Sequence, residues 1–266
     1  MYYRLKSRTR LYRITETGVT WPTPVLGLGA FFTKGGRYNN PFQATVYCAE
    51  DPLAVIAEAA FYSALNWQAK ISKHTYNPVT YPLVSNYKLW CFSITPLPVI
   101  IDLEHSRTRS LFQYSQQMLL NPSLNPADTL HKRGEPLERD YWGTQHIADD
   151  IRKYMPPGRR IEGIKAPAIR LKRQPNYRAH QLALFVFPTD PYDSRSTRIM
   201  ECELKIRFLQ SKPRQLVTSS TADIDWHKPQ FSICGTGAST IPAYPGNPRS
   251  SDKLPNRWYN ISIQFA

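Results

Sequence analysis

The most regular pattern along the chain is a strict alternation of hydrophobic and polar residues between Met200 and Phe208. Hydrophobic side chains occupy positions 200, 202, 204, 206 and 208, and charged side chains occupy the positions between them. A repeat of two residues puts one set on each face of a β-strand, so the pattern predicts a half-buried strand. One buried and one solvated face is typical of an antiparallel sheet. Residues 258–265 alternate similarly and predict a last strand.

Other hydrophobic runs are shorter and are bounded by glycine, proline or polar residues. They predict strands over residues 11–14, 45–49, 88–94, 99–103, 161–166 and 181–187. Asp51 can cap a helix and Pro52 is favoured at its first position, so a helix is expected from there to about Asn66. Helical spacing predicts a second helix over residues 140–154.

These elements predict an α+β fold with a compact core of mainly antiparallel strands, flanking helices and long loops. Residues 104–137 are polar and broken by prolines. Residues 211–257 are rich in Ser, Thr, Pro and Gly with little periodicity, so an irregular wrap over the core is expected there. The organisation predicted is a core of residues 1–210 and a C-terminal extension of residues 211–266, which packs on the core and ends in a strand.

Composition narrows the functional classes. The 266 residues carry a formal net charge of +14, which favours nucleic acid, acidic partners or nucleotides as ligands. No apolar run reaches the roughly 18 residues that cross a membrane, and the first residues do not resemble a secretory signal. The four cysteines are far apart, so reduced thiols, a cytoplasmic location and no metal site are expected. The phosphate-binding glycine motifs of Rossmann and P-loop proteins are missing from the sequence.

One carboxylate interrupts the otherwise apolar first helix. Glu58 lies among alanine, valine, isoleucine and phenylalanine residues. A buried carboxylate costs several kcal/mol unless it is paired or hydrogen-bonded. Either Glu58 forms a structural ion pair or reaches the surface, or it points into a cavity that receives a polar ligand.

The residues before this helix supply complementary chemistry. Gly35-Gly36-Arg37-Tyr38-Asn39 places a guanidinium and a phenol at a glycine turn, where the backbone can approach a ligand closely. Arginine suits bidentate phosphate contacts, and tyrosine can stack on an aromatic or cationic ring. Arg13 lies in the apolar run Leu-Tyr-Arg-Ile, and Tyr47 lies on the strand that leads to Glu58. A dinucleotide such as NAD has the matching groups.

The order LYRI, GGRYN, VYCAEDPLAVIAE resembles the RES domain, the toxin half of bacterial RES–Xre toxin–antitoxin pairs. A second, weaker block lies within residues 143–187. The resemblance implies an ADP-ribosyltransferase-like fold and NAD as the substrate, cleaved at the nicotinamide–ribose bond with inorganic phosphate as one acceptor. It implies catalytic roles for Glu58, Arg13 and Arg37, and NAD binding by Tyr38, Asn39, Tyr47 and both arginines. It also implies an Xre-like antitoxin as a partner.

The chain departs from the family pattern at one position. The serine of the family is expected just after Pro167, where this chain has Ala168. An alanine cannot bind a ligand amide or hydroxyl, and Thr144 and Ser85 are the substitutes considered. Three functions therefore stay open: an NAD-degrading toxin, an ADP-ribosyltransferase that modifies protein or nucleic acid, and a non-catalytic nucleotide- or nucleic-acid-binding protein. The oligomeric state also stays open, a homodimer included.

Overall fold

The computed structural model describes residues 2–31, 35–72, 84–120, 141–168, 179–209, 230–236 and 259–262. Within these ranges the helices and strands follow in the order β1 (Tyr2–Tyr3), β2 (Leu11–Glu16), β3 (Thr45–Cys48), α1 (Pro52–Ser72), β4 (Val84–Ile94), β5 (Ile100–Asp102), α2 (Ser106–Leu111), α3 (Gln116–Leu120), α4 (Trp142–Lys153), β6 (Gly163–Pro167), β7 (His180–Phe185), β8 (Ser196–Leu209), β9 (Gln230–Thr236) and β10 (Tyr259–Ser262).

The strands form two five-stranded sheets. Sheet A has the order β1-β5-β6-β7-β3, and sheet B has the order β10-β9-β8-β4-β2. Neighbouring strands are antiparallel except for β5 and β6, which are parallel. The α+β fold of mainly antiparallel strands is therefore confirmed.

The edges of the two sheets meet where β2 passes the end of β3. The amide of Tyr12 donates to the carbonyl of Ala49 at 2.7 Å, and the amide of Ala49 donates back at 3.0 Å. This pair of hydrogen bonds joins the strand that carries Arg13 to the strand that carries Tyr47. The connection brings two segments with candidate site residues, around residues 13 and 47, to one seam between the sheets.

Helix α1 begins as the sequence predicts and continues further. The side chain of Asp51 accepts a hydrogen bond from the amide of Leu53 at 2.9 Å, which caps the first turn. The helix reaches Ser72 instead of Asn66, because no glycine or proline interrupts residues 53–72. Its apolar residues are buried on several sides, as a helix without a polar face requires.

Three hydrophobic clusters of described residues hold the layers together. One face of sheet A packs against α4 through Ile147, Ile151, Ile164 and Phe185. Its other face packs against sheet B through Leu182, Leu184, Leu11 and Phe92. The start of α1 packs on β2, β4 and β8 through Ala54, Val55, Tyr12, Leu89 and Cys202, and Ala168 joins this cluster. Sheet A therefore lies between α4 and sheet B.

The irregular wrap expected over residues 211–257 contains a strand. β9 pairs with β8 over seven registered positions, from Glu203↔Thr236 to Leu209↔Gln230. The second half of the long strand β8 would otherwise expose an unpaired edge, and β9 covers that half. β10 confirms the predicted last strand, and the other residues of the extension lie outside the described ranges. The division at residue 210 stays a prediction.

Two further features of the fold are the lengths of its helices and the burial of its cysteines. In the described part of the chain, no helix is both long and apolar enough to span a bilayer. Cys48, Cys91 and Cys202 are buried free thiols. Burial raises the pKa of the Cys202 thiol to about 11, so this thiol stays protonated at neutral pH.

Candidate functional site

The glycine turn before β3 is tightly closed on itself. The amide of Gly36 donates to the backbone oxygen of Asn39 at 3.1 Å and to its side-chain Oδ1 at 2.9 Å. Gly35 has a φ of +86°, and a Cβ atom there would lie 2.3 Å from the carbonyl oxygen of Asn39. Only glycine fits this position, so the sequence Gly-Gly fixes how Arg37 and Tyr38 are presented.

The hydroxyl of Tyr47 forms hydrogen bonds with two residues of the glycine turn. It accepts a hydrogen bond from the amide of Tyr38 at 2.6 Å and donates to Oδ1 of Asn39 at 2.7 Å. A Cβ atom on Gly36 would lie 2.6 Å from this hydroxyl oxygen. Burial raises the pKa of Tyr47, which keeps the hydroxyl protonated and able to donate. Asn39 and Tyr47, predicted to bind a ligand, thus both shape the turn.

The guanidinium of Arg37 is buried and bonded to carbonyl groups. Its Nη1 donates to the carbonyl of Pro167 at 3.3 Å, and its Nη2 donates to the carbonyl of Leu119. The carbon of the guanidinium lies 5.0 Å from the centre of the Tyr38 ring. Its Nε has no hydrogen-bond partner among the described residues. Over the same residues no carboxylate forms an ion pair with this guanidinium.

Arg13 is a second cation without a counter-ion in the described structure. Its Nη1 atom is buried and has no hydrogen-bond partner there. Burial lowers the pKa of Arg13 to about 10, although Cys48 and Tyr47 act in the opposite direction. The side chain remains charged at neutral pH. A Cβ atom on Gly29 would lie 3.2 Å from its Nη2, so the small residue leaves space beside the guanidinium.

Tyr38 lies within electrostatic range of both Arg37 and Glu58. The Tyr38 side chain is fully buried, and its hydroxyl has no hydrogen-bond partner among the described residues. Burial raises the pKa of Tyr38; Arg37 lowers it, and the charges of Glu58 and Glu104 raise it. Glu58 is half-buried and its Oε1 atom is buried. Its carboxylate is thus directed toward the interior near Tyr38, rather than held on an open surface.

The residues considered as substitutes for the missing serine lie in different places. Ala168 is buried beside β2 and α1 and offers no polar atom. Thr144 is buried on α4, one residue before Gln145. The side-chain Nε2 of Gln145 donates to the carbonyl of Gly36 at 3.1 Å. Ser85 lies on β4 opposite Ile206 in sheet B. Of Thr144 and Ser85, Thr144 lies nearer to the glycine turn in the fold.

A charged cluster at the same end of sheet A was not predicted from the sequence. Lys165 lies 3.0 Å from Asp102 and 3.0 Å from Glu104, and Nδ1 of His180 lies 2.9 Å from Glu104. Burial opposes ionisation of Glu104, but hydrogen bonds from His180 and Lys165 outweigh it and lower the pKa of its carboxyl to about 2. The charge that Tyr38 experiences from Glu104 is therefore permanent at neutral pH.

Among the described residues, no group of three or more His, Cys, Asp and Glu side chains is arranged to hold a metal ion. The arrangement consists of a buried arginine, a half-buried arginine with a buried Nη1, two tyrosines and a half-buried carboxylate. Cations and phenols of this kind suit a ligand that carries negative charge and polar aromatic groups.

Comparison with known proteins identifies a protein family and a structural neighbour. The model of the RES domain family matches residues 10–204. The crystal structure of the MbcT–MbcA toxin–antitoxin complex of M. tuberculosis is a structural neighbour with a TM-score of 0.40 and 14% sequence identity, over 73% of this chain and 83% of that one. No curated protein sequence matches the chain.

Proposed function

The chain belongs to the RES domain family, and on that premise we propose that it is an NAD-degrading toxin of a bacterial toxin–antitoxin pair. The proposed reaction breaks the nicotinamide–ribose bond of NAD, with inorganic phosphate or water as the acceptor. Its proposed catalytic residues are Glu58, Arg13 and Arg37. Tyr38, Tyr47 and Asn39 complete the proposed NAD site. An Xre-like antitoxin is the proposed partner, and the cytoplasm is the proposed location.

The observation that carries the proposal is a set of buried polar groups without partners among the described residues. The set comprises Nη1 of Arg13, Nε of Arg37 and the hydroxyl of Tyr38. Leaving such a group unsatisfied costs about 1–3 kcal/mol, and more when the group is charged. A fold retains this arrangement at little net cost when a ligand satisfies it in the working state, so the set favours a binding site over a purely structural role.

The two arginines match the pyrophosphate of NAD. Each carries a positive charge that no described carboxylate neutralises, and Arg13 is desolvated enough to lower its pKa to about 10. An anion that enters such a site recovers Coulomb energy that is weakly screened by water. Charge-assisted hydrogen bonds from guanidinium groups to phosphate also fix the position of the ligand.

Glu58 provides the charge that the reaction requires. Cleavage of the nicotinamide–ribose bond passes through a ribose centre with oxocarbenium character, which is positively charged. A fixed carboxylate stabilises this centre more strongly than the ground state, so it lowers the barrier. Glu58 lies near Tyr38, whose pKa is raised by burial and then by the charge of Glu58. A protonated Tyr38 hydroxyl would donate a hydrogen bond to the nicotinamide side of the ligand.

Binding without turnover is the second candidate function, and Ala168 is the observation that favours it. This residue stands at the position of the family serine and is buried among apolar side chains. One polar group of a bound NAD would then lack a partner there. Transfer of ADP-ribose to a protein or nucleic acid is a third outcome, which the same experiment detects.

The test is incubation of the purified chain with NAD, with and without inorganic phosphate, followed by chromatography of the products. Release of nicotinamide with ADP-ribose-1″-phosphate, or with free ADP-ribose, supports the proposal and identifies the acceptor. A labelled macromolecule in place of these products would assign transferase activity. Saturable NAD binding without release of nicotinamide would assign the chain to the binding class.

A further inference from the structure

A cleft lies at the opposite end of sheet A from the candidate NAD site. Arg37 contacts Pro167 at the end of β6, whereas the cleft is lined by Glu162, which precedes the first residue of that strand. The five residues of β6 make four steps, so the ends of the strand are roughly 13 Å apart at about 3.3 Å per step. The cleft has a volume of about 580 Å³ and is open to solvent along one side. A ligand there would not touch the NAD site.

Three arginines and two carboxylates line this cleft, which leaves one positive charge in excess. Arg195 donates to Glu162 at 2.7 Å, to Asp190 at 2.7 Å and to the carbonyl of Pro96 at 2.8 Å. Burial lowers the pKa of Arg195, but its hydrogen bond with Glu162 outweighs burial and raises the pKa above its ordinary value. This side chain is therefore a fixed, permanently charged part of the wall.

The carboxylates of the cleft are already occupied by these cations. Asp190 also accepts from Arg160 at 2.9 Å, and Glu162 accepts from the amide of Val99 at 3.0 Å. A cationic ligand would have to displace one of these bonds. Arg159 is exposed at the rim, and no carboxylate of the described residues pairs with it. The charged group of the cleft that remains available to a ligand is thus Arg159, which is positive.

The opposite side of the cleft is aliphatic. Pro96, Leu97 and Val99 line it, and Leu97 is 38% exposed. A small metabolite is normally enclosed over most of its surface, which an open cleft does not achieve. A nucleic acid favours stacking on aromatic faces and repeated phosphate contacts, whereas this cleft has two carboxylates and no aromatic lining residue. A peptide with carboxylates next to aliphatic side chains matches both walls.

We propose that this cleft docks an acidic, aliphatic segment of a protein partner. The carboxylates of the segment contact Arg159 at the rim, and its aliphatic side chains cover Leu97 and Pro96. The proposal is independent of NAD chemistry, because it concerns the other end of the sheet.

The experiment measures fluorescence polarisation of a labelled pentapeptide that alternates Glu and Leu, added to the full chain at low salt. A Lys/Leu pentapeptide is the charge control. We expect saturable binding of the Glu/Leu peptide, weakened about tenfold by Arg159→Glu and weakened also by Leu97→Ser. The matched control Arg107→Glu makes the same charge change on an exposed arginine of α2 and should leave binding within about twofold. Thermal unfolding of each variant verifies that it is folded.

Several outcomes would overturn the proposal. Absence of saturable binding, equal binding of the Lys/Leu peptide, or equal weakening by Arg107→Glu would each do so. Displacement of the peptide by inorganic phosphate at the same concentration as unlabelled peptide would show a general anion site. Tighter binding of a single-stranded oligonucleotide that Arg159→Glu abolishes would assign the cleft to nucleic acid. Since Arg159 lies far from the NAD site, NAD consumption by Arg159→Glu should equal that of the parent in every case.

Discussion

Single side chains at the candidate site combine burial with unsatisfied bonding capacity. Arg13 and Tyr38 each bury a donor that no described residue accepts, and Arg37 does so with its Nε. Each of these groups lowers the stability of the ligand-free fold by an amount comparable to a lost hydrogen bond. Functional sites commonly retain such costs because the ligand removes them. The contribution of each residue can therefore be separated by measuring turnover, affinity and stability independently.

Replacement of Glu58 by Gln should nearly abolish NAD consumption while NAD affinity stays within about tenfold. The amide keeps the shape of the side chain but removes the charge that stabilises the cationic ribose centre. Nicotinamide release gives the rate, and calorimetry gives the affinity. Glu16→Gln, on an exposed residue of β2, is the matched control. If Glu58→Gln consumed NAD as fast as the parent, the catalytic role of Glu58 would be wrong.

Replacement of Ala168 by Ser should raise NAD consumption. The new hydroxyl would satisfy one polar group of the ligand, and a hydrogen bond of about 1–3 kcal/mol corresponds to roughly a ten- to hundredfold change in rate. Ala148→Ser introduces the same hydroxyl into the buried face of α4 and should not raise the rate. Equal rates for Ala168→Ser and the parent would mean that another residue already fills the role, or that the serine aligns elsewhere.

At the level of elements, the local sequence is sufficient to predict the glycine turn of the candidate site. It is insufficient to predict the contacts that orient Arg37. Gly35, Arg37 and Tyr38 are neighbours in sequence, and the turn chemistry of glycine brings them together without distant contacts. The groups that orient Arg37 are the carbonyls of Leu119 and Pro167, 82 and 130 positions away. No sequence pattern marks a carbonyl, so these contacts could not be predicted.

The missed strand β9 and the missed charge cluster have related explanations. The alternation within residues 230–236 is short and is surrounded by Ser-, Thr- and Pro-rich sequence, which masked the strand period. The charges of Asp102, Glu104, Lys165 and His180 are brought together only by the pairing of β5, β6 and β7. Register in a sheet is a tertiary property, so isolated charged residues give no signal for such a cluster.

The charge cluster predicts how stability responds to acid. The folded-state pKa of Glu104 is lowered from its ordinary value of 4.5 to about 2. The unfolded chain therefore binds a proton more readily than the folded chain between these values. The stability that Glu104 contributes is fully present above pH 4.5 and is lost as the pH falls toward 2.

Glu104→Gln should thus reduce stability at neutral pH and flatten the loss of stability on acidification. Thermal unfolding midpoints at about pH 7, about pH 5 and about pH 3 give the comparison. Glu16→Gln, which is exposed, should keep the acid dependence of the parent. An unchanged midpoint at neutral pH together with an unchanged acid response would show that the pairs with Lys165 and His180 contribute nothing measurable.

Over the described part of the molecule, positively charged side chains occur at separate places in the fold. The formal net charge is +14; Arg37 is buried near one end of sheet A, Arg13 on the adjoining strand β2 is half-buried with a buried Nη1, and Arg159 is exposed at the other end of sheet A. A buried cation without a counter-ion opposes folding, whereas an exposed one has little effect. Global stability should therefore report occupancy of the buried site and be nearly insensitive to the exposed one.

Arg13→Met should have opposite effects on the free and the NAD-bound protein. Removing an uncompensated buried charge should leave the unfolding midpoint of the free chain unchanged or raise it, because methionine fills similar space without charge. The same change should remove most of the stabilisation by NAD, which amounts to about 2.7 kcal/mol at a ligand concentration of 100 times Kd for the parent. Arg4→Met, at an exposed position, should change neither value. A full NAD-induced shift in Arg13→Met would exclude Arg13 from the NAD site.

The closed glycine turn also affects the association rate of a ligand and the conformational entropy that is lost on binding. The amides of Gly36 and Tyr38 already have acceptors in Asn39 and in the hydroxyl of Tyr47 before anything binds. A ligand therefore does not have to order this segment, and the conformational entropy of the turn is lost during folding rather than during binding. Association at such a preformed surface should follow single-step kinetics limited by diffusion and orientation, without a slow phase for loop closure.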